Sequence, residues 1–162
     1  MDLLGYHHQG AICKIDMAFA AKYGVALCNY RPVLRPMTDL SSEIIENGYY
    51  GGKPFVPIVV LSKLMSMSRA FMPLNAYRIV NTKSYVGVTS NSPDYIFTWD
   101  LFDKNFNAWW IGVNDVECGD SIVIPNVHEL YDYLHRWHFD YRGLIEAGDA
   151  VNVHELKKDP YQ

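Results

Sequence analysis

The chain has 162 residues, of which 49% are hydrophobic and 20% charged, and its formal net charge is −4. Those proportions exclude a disordered tail, a collagen-like fibre and a low-complexity linker. A chain balanced slightly towards acid also lacks the strongly basic character that broad nucleic-acid binding requires.

The length fits one globular domain over residues 1–162, able to bury roughly two thirds of its extended surface without help from a metal or a disulfide. In chain order, Ala11–Ala18 and Tyr23–Val33 are expected as strands that reverse near Lys22-Tyr23-Gly24, although Met17-Ala18-Phe19-Ala20-Ala21 also suits a helix. Pro32 and Pro36 bracket Arg35 and should end regular structure there. Asn47-Gly48 lies between apolar runs, the pattern of a hairpin turn, or else caps a short helix from Ser41. Pro57 suits a first helical turn, and a helix is expected to about Ser68 with Ile58, Leu61, Leu64 and Met65 on one face.

From Ala76 to Pro125 the pattern changes to β-prone runs separated by turns. Ala76–Val80, Tyr85–Thr89, Tyr95–Trp99, Phe106–Val113 and Ser121–Pro125 are the runs, and Asn91-Ser92-Pro93-Asp94, Asp103-Lys104-Asn105 and Glu117-Cys118-Gly119-Asp120 are the reversals. Short reversals imply neighbouring antiparallel strands. Next, Asn126 and Glu129 have the spacing of a capping box. They open a helix to about Phe139 whose buried stripe is Leu130, Tyr131, Leu134, Trp137 and His138. Arg142-Gly143 and Ala147-Gly148 break the chain before a closing strand at Ala150–Val153. The expected class is α+β: an antiparallel, meander-like sheet with about two packing helices.

Charge is unevenly distributed. Residues 47–93 hold Lys53, Lys63, Arg69, Arg78 and Lys83 with no acidic residue, whereas residues 94–155 hold twelve acidic side chains against Lys104, Arg136 and Arg142. The basic stretch suggests an anion site in which Arg69, Arg78 and Lys83 meet phosphate or carboxylate, and Tyr77 and Tyr85 offer stacking faces. Two blander accounts compete with it: docking of the basic half on the acidic half, or a solvated face. Aromatic residues make up 14% of the chain, including 12 Tyr. Tyr49-Tyr50 and Trp109-Trp110 are the candidates for an interface, because Tyr and Trp combine large area with a polar tip.

Catalytic and cofactor signatures are sparse. Gly51-Gly52 lacks the spacing and the following Lys-Ser/Thr of a phosphate loop, no Gly-x-Ser-x-Gly elbow occurs, and Asn-Val-His-Glu-Leu at 126–130 and 152–156 lacks a second metal-binding histidine. No cofactor is expected. His128, Asp132 and His135 fall on one face of the second helix and offer a possible metal grip, against the ordinary alternative of a solvated helix face. Cys13, Cys28 and Cys118 are odd in number and unpaired in spacing, which suits free thiols. Met1–His8 has neither the basic start nor the apolar core of a signal peptide, and the longest apolar run, Phe55–Leu61, is seven residues, so no membrane span is expected.

The stretch Trp137–Gly148, with Leu34–Leu40 and Phe55–Ile58, resembles segments in a group of small uncharacterised proteins of tailed bacteriophages and prophages of gut bacteria. The resemblance covers about a quarter of the chain and implies a phage source, with no activity attached. With it, the expectation is a non-enzymatic binding protein in the cytoplasm of a bacterial host, self-associating. It would act on a host protein or a small anionic, nucleotide-like ligand, with an anti-defence role conceivable. A hydrolase using the His/Asp/His face and a virion or assembly component are the alternatives.

Overall fold

Seven strands and two α-helices carry the architecture of the computed structural model, which describes residues 13–15, 30–65, 77–91, 94–110, 124 and 127–162. The strands are β1 (Cys13–Ile15), β2 (Tyr30–Leu34), β3 (Tyr77–Asn81), β4 (Tyr85–Asn91), β5 (Asp94–Asp100), β6 (Asn105–Trp110) and β7 (Val151–Asn152). The helices are α1 (Pro57–Met65) and α2 (Val127–Arg136). The class is α+β, as the sequence predicts. No described helix is long and apolar enough to cross a membrane. The chain divides into two units: Thr38–Tyr131, the central unit, and Met1–Met37 with Asp132–Gln162, the terminal unit.

The central unit is built on an antiparallel sheet in the order β3-β4-β5-β6. Its short reversals make sequence neighbours into spatial neighbours, as expected. Register places Ile79, Val88, Phe97 and Ala108 in line across the four strands, and Val86, Trp99 and Phe106 in line beside them. Side chains alternate between faces, so these residues share one face. There Val86, Val88, Phe97, Trp99, Phe106 and Ala108 are all buried. Phe97 stacks on Phe106 at 5.3 Å, while Trp99 meets it edge-on at 4.8 Å. Tyr131 closes the group, edge-on to both Trp99 and Phe106. On the opposite face Gly87 has a specific purpose. A Cβ there would collide with the Thr98 methyl and the Phe97 carbonyl oxygen, so only glycine lets β4 and β5 approach.

Helix α1 begins at Pro57, as the sequence predicts, and buries Ile58, Val59, Leu61 and Ser62. Asn47-Gly48 makes a turn rather than a helix cap. Gly48 takes φ 79° and Ile44 bridges Phe55 in antiparallel sense, while short helical turns lie on either side, at Met37–Ser41 and Tyr50–Gly52.

The terminal unit carries a three-stranded sheet in the order β1-β2-β7, antiparallel on one side of β2 and parallel on the other. Two expectations change here. Pro32 lies inside β2, as the expected strand to Val33 has it, and the strand ends at Leu34, but Arg35, expected to lie beyond regular structure, continues as a parallel bridge to Phe139. Proline is tolerated where the ladder needs no donor, and the pairing with β7 begins only at Val33. Strand β2 is buried on both faces: Leu34 packs with Leu144 and Ala150, and Val33 with Val151, Val153 and Tyr161.

The second correction concerns α2, which stops at Arg136 rather than near Phe139. His138 adopts φ 61°, its N–H bonds the His135 carbonyl at 3.0 Å, and the Phe139 N–H bonds the Leu134 carbonyl at 2.9 Å. This double closure ends a helix through one left-handed residue, a place glycine normally takes. Leu134 and Phe139, both fully buried, supply the apolar contact that accompanies it. The buried stripe itself is as expected for Leu130, Leu134, Trp137 and His138. The capping residue Asn126, the reversals at 91–94 and 117–120 in part, and the expected strand at Ser121–Pro125 fall largely outside the described residues.

Candidate functional site

The hairpin of β3 and β4 holds most of the basic candidates. Thr82 sets its turn: the Thr82 N–H bonds the Tyr85 carbonyl at 2.9 Å, and its hydroxyl oxygen accepts from the N–H of Ser84 at 3.2 Å and of Tyr85 at 3.1 Å. Lys83 is thereby presented at an exposed tip. At the end of β3 beside this turn, Asn81 donates to the Ser41 hydroxyl at 3.2 Å, tying the strand to the Met37–Ser41 turn.

Among the described residues strand β3 is an edge of its sheet, and it differs from β6 at the other end of the strand order. Phe106 and Ala108 of β6 are buried, whereas Tyr77, Arg78 and Ile79 of β3 are exposed in succession. Consecutive exposure means that both faces of the strand meet solvent. Tyr77 and Ile79, each 36% exposed, lie on the face that further along the sheet becomes the aromatic core. The apolar face therefore extends past the part that is covered.

The predicted anion-site residues are not gathered into one pocket. Tyr77 and Arg78 are adjacent in β3 and point to opposite faces. Arg78 pairs with Thr89, and Tyr85 lies on that face but four residues further along β4, roughly 13 Å away at strand spacing. Arg69 lies outside the described residues. Arg78 and Lys83 are exposed and form no ion pair among the described residues, so the intramolecular neutralisation weighed from the sequence does not extend to them.

The aromatic candidates divide. Tyr49 is half-buried and packs on Phe55 at 4.9 Å between ring centroids, while Tyr50 is 60% exposed and reaches the same ring at 6.1 Å. Tyr50 also holds φ 51°, an unusual conformation for a non-glycine residue. Trp109 is half-buried and pairs with Ile96, and the backbone of Trp110 pairs with Tyr95. Phe102, in the turn after β5, is 75% exposed and was not singled out by the sequence pattern.

The metal face on α2 does not assemble. No three His, Cys, Asp or Glu side chains among the described residues come together as a metal would require. His135 turns instead to Tyr141, with its Nε2 2.7 Å from the hydroxyl, and Arg142 donates through Nε to the same oxygen at 3.1 Å. A phenol oxygen that accepts from Arg142 still has a proton to give, so the arrangement is satisfied by neutral His135 accepting at Nε2. Desolvation by burial lowers the His135 pKa from 6.5, Arg142 lowers it further and Asp132 opposes the change. Spacing on the helix was correctly read; it said nothing of Tyr141, six residues on, which takes the imidazole.

One buried polar group among the described residues was not predicted as a site at all. Arg35, 1% exposed, donates to the Trp137 carbonyl at 3.0 Å and to Asp159 at 3.0 Å, and lies 4.9 Å above the Tyr161 ring. Tyr161 in turn stacks on His138 at 3.8 Å and donates its hydroxyl to the Val33 carbonyl. The two prolines around Arg35 were the only local signal. Comparison with protein-family models, curated proteins and solved structures finds no match to this chain.

Proposed function

We propose that the chain is a non-catalytic binding protein of phage origin that acts in the cytoplasm of a bacterial host, capturing an extended, acidic segment of a host protein along β3. The observation that carries this reading is the edge strand with Tyr77, Arg78 and Ile79 exposed in succession. Proteins ordinarily protect such edges, because an open row of backbone donors and acceptors recruits another strand. Strand addition uses that row for affinity and alternate side chains for choice of partner.

Magnitudes support a contribution from the side chains. A strand of five residues offers only a few backbone bonds, each worth about 1 kcal/mol net, against the ~8 kcal/mol of a micromolar complex. Tyr77 and Ile79 on one face, with Arg78 on the other, supply apolar area and positive charge to close that gap. The spread of the basic residues along the hairpin suits an elongated partner better than a small anion, which would need them within one pocket.

Affinity capture from host extract with the tagged chain, compared with an Arg78→Glu/Ile79→Lys variant of unchanged circular dichroism, tests the reading. A host protein retained by the wild type and lost at least tenfold by the variant is expected. An identical retained set for both chains sinks it. Native mass spectrometry of the purified chain covers the other class of ligand: a bound nucleotide-sized mass would favour a small anion in place of the strand partner.

A further inference from the structure

The hydrogen bonds of the hairpin fix which backbone groups of β3 face away from the sheet. The Thr82 N–H bonds the Tyr85 carbonyl at 2.9 Å, so this pair is bonded across the ladder. In an antiparallel ladder, bonded pairs alternate with pairs that exchange nothing. By register, Val80 with Gly87 and Arg78 with Thr89 are then the bonded pairs, and Tyr77, Ile79 and Asn81 turn their N–H and carbonyl groups outwards. The neighbouring strand gives the same parity. The Leu101 N–H bonds the Ser84 carbonyl at 2.9 Å, which commits Val86 and Val88 to β5 and leaves Tyr85, Gly87 and Thr89 to β3. Among the described residues the backbones of Tyr77, Ile79 and Asn81 make no further hydrogen bond.

Side chains alternate in the same step. Tyr77, Ile79 and Asn81 lie on the face of the aromatic core, with Arg78 and Val80 on the other. A strand laid beside β3 would exchange bonds with Tyr77, Ile79 and Asn81, so its residue level with Arg78 would stand at a position without exchange. Such positions bring Cα atoms to about 4.5 Å, against about 5.5 Å at bonded ones, and side chains are closest there. Arg78, the one charged residue of β3, therefore sits where a cross-strand neighbour acts most strongly. Asn81 is already engaged by Ser41, which leaves Tyr77–Ile79 as the open stretch. A second copy suits this stretch poorly. Self-pairing centred on Ile79 sets each Arg78 against a Val80, and self-pairing centred on Arg78 sets two guanidinium groups against each other.

We propose that the segment captured by β3 carries an apolar–acidic–apolar triplet, with its acidic side chain level with Arg78 and its apolar side chains level with Tyr77 and Ile79. This triplet rests on the strand-capture reading above and adds to it the register and the basis of choice. Backbone exchange at Tyr77, Ile79 and Asn81 is indifferent to the partner's sequence, so discrimination falls to the side chains. A basic residue in the middle of the triplet meets Arg78 as a like charge. Acidic residues at its outer positions set carboxylates against the rings and methyl groups of the apolar face, where they lose hydration and gain no cation.

The test titrates the full chain with the peptide Ser-Thr-Val-Glu-Val-Thr-Ser and with its counterpart carrying lysine for glutamate, followed by amide NMR and hydrogen exchange. The glutamate peptide is expected to bind about fivefold more tightly, the upper end of what one cross-strand charge pair gives. It should slow exchange at the Tyr77, Ile79 and Asn81 N–H groups and leave those of Arg78 and Val80, already bonded to β4, unchanged. Arg78→Glu should reverse the preference between the two peptides. If that variant does not fold, added salt on the wild type decides, since the preference must shrink as charge is screened. Equal binding of both peptides with slowed exchange at the three groups overturns the triplet while strand capture stands. Absence of binding, or binding that leaves the three groups unprotected, also overturns it, and affinity capture then judges the strand reading separately. Slowed exchange without peptide that grows with chain concentration would place a second copy on the edge and overturn it too.

Discussion

Two arginines show how differently the two units use charge. Arg35 in the terminal unit is 1% exposed and tied to a helix-end carbonyl, a carboxylate and an aromatic ring, whereas Arg78 in the central unit is exposed on an edge strand. The central unit draws its cohesion from a sheet face of Val, Phe and Trp side chains, which is non-directional, and among its described residues Glu46 is the one buried charged side chain. Among its described residues the terminal unit buries Arg35, His138 and Asp140: Arg35 meets the Trp137 carbonyl and Asp159, Asp140 meets two backbone N–H groups, and His138 stacks on Tyr161. The same residue type is therefore a structural pin in one unit and a candidate contact in the other.

The largest expected effect is in the central unit. Trp99→Ala removes a side chain that is 1% exposed and touches both Phe106 and Tyr131, and should cost about 4 kcal/mol in urea unfolding. Arg35→Ala comes next, at about 3 kcal/mol, because it leaves Asp159 and the Trp137 carbonyl without their cation. Arg78→Ala should change stability by less than about 0.5 kcal/mol. Equal losses for the two arginines would break the comparison. Gly87→Ala should cost about 2 kcal/mol, since β4 and β5 must separate to admit the methyl group. Tyr161→Phe deletes only the hydroxyl bond to Val33 and should cost about 1 kcal/mol, which denaturant titration can resolve.

What could be read from sequence follows the same division. The four-stranded sheet was legible because short turns and β-prone runs determine neighbours locally, and its strand boundaries moved by only a residue or two, apart from the expected end at Val113, which lies outside the described residues. The start of α1 was legible from Pro57. Arg35 was not, because its partners lie 102 and 124 residues away and no periodic pattern connects them. The end of α2 was misplaced because His138 occupies a position where sequence reading expects glycine; stacking on Tyr161 accompanies that conformation. Among the candidate site residues, spacing placed His128, Asp132 and His135 on one helix but could not foresee Tyr141. The basic run gave a true uneven charge distribution, yet strand alternation sends Tyr77 and Arg78 to opposite faces, a consequence of register rather than of composition.

The smallest expected effect in the terminal unit concerns the protonation of His135 alone. Burial, reinforced by Arg142 and opposed by Asp132, holds the His135 pKa below 6.5, so the folded chain takes up this proton at lower pH than the unfolded chain. Where the unfolded state binds more protons, stability rises with pH. The contribution of His135 is thus complete above the ordinary imidazole value and is lost as pH falls through the lowered one. Protonation also places a hydrogen on Nε2, which then cannot accept from Tyr141. His135→Gln should therefore flatten the dependence of unfolding free energy on pH between about pH 7 and pH 5, the range that belongs to imidazoles. Arg142→Ala should move the loss towards higher pH by removing the charge that adds to the effect of burial. Denaturant titrations of the three chains at several pH values check both, and a wild-type slope no steeper than that of His135→Gln would show that the imidazole is indifferent to its surroundings.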